Sequence, residues 1–193
     1  MPDRIVLVVY DRFEILDMAG PASVFSAANR LSDEPLYDVR ACSIGGGARM
    51  SLSGISVETS DLSAMVARAS DTVLVTGARP ADLEALAVDA ALHAWLRGAA
   101  GAAKRYGSVC TGTIALAAAG LLVDADVTTH WDACDRLAAL EPTCRIDRDT
   151  IYVAQDRLWT SAGVTTGIDM ALAMVGADHG PGLAARVAQR LVM

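Results

Sequence analysis

Basic side chains are scarce in this sequence. Sixteen lysines and arginines stand against 23 aspartates and glutamates, a net charge of −7 with a sequence pI near 4.8. No positive stripe is available to neutralise phosphates, which excludes nucleic-acid binding by this chain itself. Histidine is scarcer still. His93, His130 and His179 lie far apart and form no metal-ligand pattern. The four cysteines, Cys42, Cys110, Cys134 and Cys144, include no CxxC pair, so a zinc ribbon or a thioredoxin motif is excluded. No metal and no organic cofactor is expected. Charged residues make up 20% of the chain against 53% apolar, which rules out intrinsic disorder and a coiled coil. Long hydrophobic runs are missing too. The longest, Ile114–Val123, falls short of the roughly 18–20 residues that a spanning helix takes. Ile5–Tyr10, behind Asp3 and Arg4, is too short for a signal peptide and precedes no small-residue cleavage site. A cytoplasmic protein with free thiols, off the membrane, is the expectation.

What is present is a strongly apolar chain of 193 residues, with a mean hydropathy of +0.35. That length corresponds to about one domain, here residues 1–193, able to bury a core without disulfides or metals. The surplus hydrophobicity points to a sheet covered on both faces, a buried oligomer interface, or both. Strand and helix patterns alternate along the chain. Ile5–Tyr10, Tyr37–Ile44, Thr72–Thr76 and Arg105–Val109 read as core strands, and Met50–Val57 as a hairpin. Gly20-Pro21 is expected to open the first helix, with Pro in its first turn. Ala81–Ala103 reads as helical with a break near Asp89, and Thr111–Gly120 and Trp131–Leu140 as further helices. Ile151–Val153 and Leu158–Thr160 are late strands. Val164, Ile168, Leu172 and Val175 mark one face of a helix, and Leu183, Val187 and Leu191 that of the last. The pattern predicts an α/β fold, a mainly parallel sheet with helices on both faces.

Arg105–Gly120, RYGSVCTGTIALAAAG, carries the chemistry. A strand ends at Val109, Cys110 follows, and a helix begins at once. A thiol there faces unpaired N–H groups at a helix N-terminus and at the carboxyl end of a strand, where ligands collect in parallel sheets. Both effects favour thiolate, so a lowered pKa is expected; an inert buried cysteine is the alternative.

Three segments, LDMAGPASVF (Leu16–Phe25), SVCTGTIALAAAGLL (Ser108–Leu122) and TSAGVTTGIDMAL (Thr160–Leu172), with TTHW (Thr128–Trp131), resemble the DJ-1/PfpI superfamily. The resemblance implies a flavodoxin-like three-layer sandwich, dimerisation, and Cys110 on a nucleophile elbow. Its peptidase branches place histidine after that cysteine. Here the position is Thr111, so a Cys–His dyad is absent and peptidase activity is not implied. LDxxGP resembles isocyanide hydratases, whose essential acid aligns with Asp17. LDxxGP, VCTG and TTHW also resemble the N-terminal domains of GlxA-type regulators of the AraC family, in which a C-terminal helix-turn-helix domain binds DNA. Ile146–Gly180 and the ending Leu183–Met193 favour that branch, with Met193 at a domain boundary. The family's Gly-Gly after the third core strand reads Gly77-Ala78, which weakens anion stabilisation by that loop.

The resemblance thus implies a small-molecule sensor, homodimeric and with little or no turnover, that reaches DNA only through a further domain. Its alternative is a cysteine-dependent hydratase that converts isocyanides to N-substituted formamides. Cys110 and Asp17 are the candidate reacting pair. Asp17 either caps the first helix or hydrogen-bonds the sulfur, and Glu14 reads as a solvated loop charge. Thr111, Gly77, Ala78, His130 and Ser161 are the candidate ligand-binding residues, His130 as a proton relay or ligand contact.

Overall fold

The computed structural model describes residues 1–191; Met193, the expected boundary, lies outside them. Its core is an eight-stranded sheet in the order β3-β4-β2-β1-β5-β6-β10-β9. β1 (Asp3–Val8) lies at its centre between β2 (Tyr37–Ser43) and β5 (Thr72–Val75), parallel to both. β5 pairs in parallel with β6 (Arg105–Val109), and β6 with β10 (Leu158–Ser161). Hairpins close both edges. β3 (Gly47–Met50) runs antiparallel to β4 (Ser56–Asp61), and β9 (Tyr152–Gln155) antiparallel to β10. A separate two-stranded ladder joins β7 (Asp126–Val127) to β8 (Arg145–Ile146).

The two-residue period of a strand sends alternate side chains to opposite faces. Ile5 and Leu7 of β1 enter one core, with Leu74 and Val109, beneath α1 (Ile15–Arg30), α6 (Thr166–His179) and α7 (Pro181–Leu191). Val6 and Val8 enter the other, with Val73 and Val75. That core is covered by α2 (Leu83–Val88), α3 (Ala90–Ala102), α4 (Thr113–Ala118) and α5 (Cys134–Leu140). The sheet is therefore covered on both faces, as its unbroken apolar strands require. Asp89 ends α2 and caps α3, its carboxylate accepting from Leu92 N–H at 2.9 Å, which is the expected break.

One expectation needs correction. α1 begins at Ile15, not at Gly20-Pro21, and Pro21 lies inside the helix. Its missing N–H leaves the Asp17 carbonyl without its helical donor. Asp17 consequently sits in the first turn, and the N-cap is Glu14, whose side chain accepts from Leu16 N–H at 3.4 Å. The face read for α6 is wider than expected: Val175 is fully buried and Val164, ahead of the helix, Ile168 and Leu172 pack half-buried against the same core, while Gly167, Met170, Ala171 and Met174 are buried beside them. The glycines let α6 sit close to the sheet and to α1. A Cβ on Gly167 would lie 2.7 Å from Val109 Cγ1, and one on Gly20 would lie 2.9 Å from Ile168 Cγ1.

Candidate functional site

β6 delivers Cys110 to the carboxyl edge of the sheet, and the chain turns at once into a short 3-10 turn, Cys110–Gly112, ahead of α4. Cys110 takes φ +57°, a left-handed conformation that side chains other than glycine rarely adopt. Neighbouring segments hold that strain in place, as a functional turn requires. Thr129 Oγ1 donates to the Cys110 carbonyl at 3.1 Å and lies 2.6 Å from Thr113 Oγ1. Gly112 passes so close to β5 that a Cβ there would lie 2.3 Å from the Val75 carbonyl oxygen.

The loop after β5 meets the elbow from the other side. Gly77 N–H donates to Asp17 Oδ2 at 2.8 Å, and Ala78 N–H donates to Thr111 Oγ1 at 2.8 Å. Gly77 has no room for a side chain: a Cβ would lie 2.5 Å from Thr111 Oγ1 and 2.9 Å from Asp17 Oδ2. The fold thus brings Asp17, Gly77, Ala78, Thr111 and Cys110 together. Both N–H groups of this loop are already engaged, whereas the Thr111 N–H is directed at the Cys110 sulfur.

A cavity of about 150 Å³ opens over the thiol, lined by Cys110, Thr111, Ala78 and His130. Glu14 and Asp132 add carboxylates to it, and Leu52 and Val164 add apolar wall. His130 is half-buried, and its Nδ1 lies 2.5 Å from Asp132 Oδ1. Ser161 does not line the cavity. It is fully buried at the end of β10, and its hydroxyl has no hydrogen-bond partner. Sequence reasoning passed over three further residues. Arg79 lines the cavity and shares Asp82 with Arg12, at 3.1 and 2.6 Å. Asp132 orients His130. Tyr10, whose hydroxyl donates to the Thr76 carbonyl at 2.8 Å, feels the charges of both Asp17 and Cys110. Its place just beyond the carboxyl end of β1 was the available signal.

The electrostatics reverse one expectation. Burial pushes the Cys110 thiol well above its ordinary value, and the neighbouring Asp17 carboxylate pushes it further. The helix terminus does not overcome this, because α4 is less than two turns long and the residue is 6% exposed. Burial likewise raises Asp17 to about 7, against the opposing Gly77 N–H. Its Oδ1 has no partner. A neutral Asp17 removes the repulsion on the sulfur, so the two groups titrate as a pair. Glu14, read as a solvated charge, is half-buried at the cavity wall. Among the described residues no group of three His, Cys, Asp or Glu side chains is placed to hold a metal ion. No helix among them is long and apolar enough to cross a membrane.

An elbow cysteine on a doubly covered parallel sheet, facing an acid from the first helix, defines the class. The chain belongs to the DJ-1/PfpI family, whose model matches residues 3–177. Over 142 residues it is 39% identical to a Streptomyces lividans protein named for the cpoL 5′ region, covering 74% of this chain and 97% of that one. It is 31% identical to the HTH-type transcriptional regulator GlxA of Rhizobium meliloti, over 95% of this chain and 56% of the regulator. It is 41% identical to the isonitrile hydratase of Pseudomonas putida, over 44% of this chain and 37% of the hydratase. The chain thus spans little more than half the length of the regulator it matches. Among solved structures, a ThiJ/PfpI family protein from Pseudomonas syringae superimposes with a TM-score of 0.85 at 25% identity, over 98% of this chain and 74% of that one.

Proposed function

We propose that residues 1–193 form one small-molecule-binding domain of the regulator type, with Cys110 in the ligand pocket, little or no turnover, and DNA contacted only through a further domain. The observation that carries this reading is the extent of the regulator match, 95% of the chain in one alignment. The hydratase match covers 44%. The cavity's chemistry supports it. The thiol is held protonated by burial, and the loop N–H groups that would stabilise an anion are engaged by Asp17 and Thr111. The ligand class is a small amine or amino-acid derivative: Glu14 and Asp132 offer carboxylates at the wall, while the charge of Arg79 is shared with Asp82. A homodimer places two such pockets in one molecule, and a ligand that binds one dimer geometry better shifts the equilibrium toward it.

A second reading rests on Asp17. Its raised pKa keeps a proton available near neutrality, its Oδ1 has no hydrogen-bond partner, and its charge is felt at Cys110. In a hydratase Asp17 would take the Cys110 thiol proton and pass it to the isocyanide carbon as the sulfur bonds to that carbon, giving a thioimidate. Water would then add to the carbon, one of its protons going to nitrogen and the other to Asp17. The carbon–sulfur bond would break, the sulfur would take that proton back from Asp17, and an N-substituted formamide would leave. Cyclohexyl isocyanide separates the two readings. The sensor reading expects no formamide beyond the Cys110→Ser background, together with a raised Tm in a screen of small amines that Leu52→Trp abolishes. Cys110-dependent, multiple-turnover formamide release would overturn it in favour of the hydratase.

A further inference from the structure

A second cavity, of about 260 Å³, opens at the carboxyl ends of β1 and β2. It is larger than the Cys110 cavity and shares with it the segment that follows β1. Tyr10 and Asp11 line the second cavity, and Glu14 lines the first. Asp89 and Leu92 enter it from the start of α3, and Arg49 from β3.

Three consecutive glycines place Arg49 there. Gly45, Gly46 and Gly47 have φ of +75°, +63° and +78°, a left-handed run that turns the chain from β2 into β3. Arg49 then reaches back, its Nη2 donating to the Ile44 carbonyl at 2.7 Å and its Nη1 to the Ala48 carbonyl at 3.4 Å. A guanidinium has five N–H donors, so most remain open. Among the described residues Arg49 makes no ion pair, although Asp11 and Asp89 line the same cavity. Each carboxylate is half used. Asp11 Oδ1 accepts from Met50 N–H at 3.2 Å and Asp89 Oδ1 from Leu92 N–H at 2.9 Å.

One cation and two carboxylates thus line a recess without touching. A metal ion lacks a third ligand there. A phosphate would meet the carboxylates as well as the guanidinium. The volume equals roughly nine waters at about 30 Å³ each, less than a drug-sized ligand takes. We propose that this cavity is a second small-molecule site, selective for zwitterions of the amino-acid class. The ligand carboxylate takes the open N–H groups of Arg49, the ammonium lies toward Asp11 and Asp89, and a short methylene chain rests on the half-buried Tyr10 and Ile44. The site is separate from the Cys110 pocket and does not depend on the reading given to it.

Calorimetric titration with γ-aminobutyrate tests the assignment. Saturable one-to-one binding with a Kd of about 1 mM or tighter is expected. Arg49→Met should weaken it at least about tenfold, the loss of one charge-assisted contact. Asp11→Asn, which keeps the bond from Met50 N–H, should weaken it severalfold. Acetate and propylamine, each carrying half of the recognised charge, should bind at least about tenfold more weakly. Leu52→Trp, which blocks the first cavity from its half-buried wall, should leave binding unchanged. No saturation by about 10 mM, equal affinity for acetate, unaltered binding by both Arg49→Met and Asp11→Asn, or loss in a folded Leu52→Trp variant would each overturn it.

Discussion

At the amino ends of β1, β5 and β6 the buried charges are matched. Arg4, 8% exposed, pairs with the fully buried Asp71 and also donates to the Val66 carbonyl at 2.8 Å. Arg105 pairs with Asp178, which also takes Lys104 at 2.7 Å and the Tyr37 hydroxyl at 3.0 Å. At the carboxyl ends of the same sheet the matching stops. Asp17 is as buried as Asp71, yet one of its oxygens faces no donor; the Ser108 and Ser161 hydroxyls are also unpartnered. Cys110 adds a left-handed backbone. One sheet therefore offsets its desolvation at one end and leaves it open at the other. That unmatched polarity lies behind the wall of the Cys110 cavity, and the matched end supplies the stability that tolerates it.

The comparison can be broken most severely at its matched end. Asp71→Ala leaves Arg4 buried without its carboxylate and Arg68 N–H without its acceptor at 2.7 Å. A loss of about 3–5 kcal/mol in urea unfolding is expected. A change below about 1 kcal/mol would show that the amino end is not what holds the fold.

Asp17→Asn sharpens the other end. An acid whose folded pKa is raised, from 3.8 to about 7, contributes stability that is fully present below its unfolded pKa and is lost as pH rises through 7. Wild type should therefore lose on the order of 3 kcal/mol between about pH 5 and pH 8, relative to the asparagine variant. Asparagine can still accept from Gly77 N–H. The same variant removes the charge that opposes Cys110 ionisation, so iodoacetamide should label Cys110 faster in it at about pH 8. Parallel stability profiles and equal labelling rates would detach Asp17 from the site.

The smallest effect belongs to Glu14. Its capping bond is long at 3.4 Å, so Glu14→Ala should cost only about 0.5 kcal/mol in chemical unfolding. A cost of 2 kcal/mol or more, roughly the upper end of measured caps, would mean that Glu14 does more in the fold than cap α1.

The sheet and the elbow were legible because both are local signals: runs of β-branched residues, then a strand, a cysteine and a helix without a gap. The start of α1 was not. Pro21 carries the local signature of a first turn, but the helix starts earlier, at Ile15, where Glu14 caps it and Asp17 and Gly20 are already buried. In α6 the spacing of bulky residues finds Val175 and the half-buried Ile168 and Leu172, but close approach, which adds Gly167 and Ala171 to the buried face, is not written in hydrophobic spacing. Within the site, Cys110 could be read from its neighbours. Its thiol's rise could not, since burial is a property of the assembled core. Resemblance places Ser161 at the ligand, but burial at the end of β10 keeps its hydroxyl off the cavity wall, and burial is again a property of the assembled core.

Gly77 carries a consequence for how the site comes into being. The contact on its own N–H spans 60 residues of chain, and the neighbouring contact from Ala78 to Thr111 spans 33. Neither can close until β1, β5 and β6 lie side by side, so the pocket belongs to the late, high-contact-order part of folding. A molecule bound over Cys110 therefore stabilises the entire cooperative unit rather than one loop, and its concentration sets how often the whole chain opens. Occupancy is then written into the lifetime of the protein against proteolysis as well as into its shape.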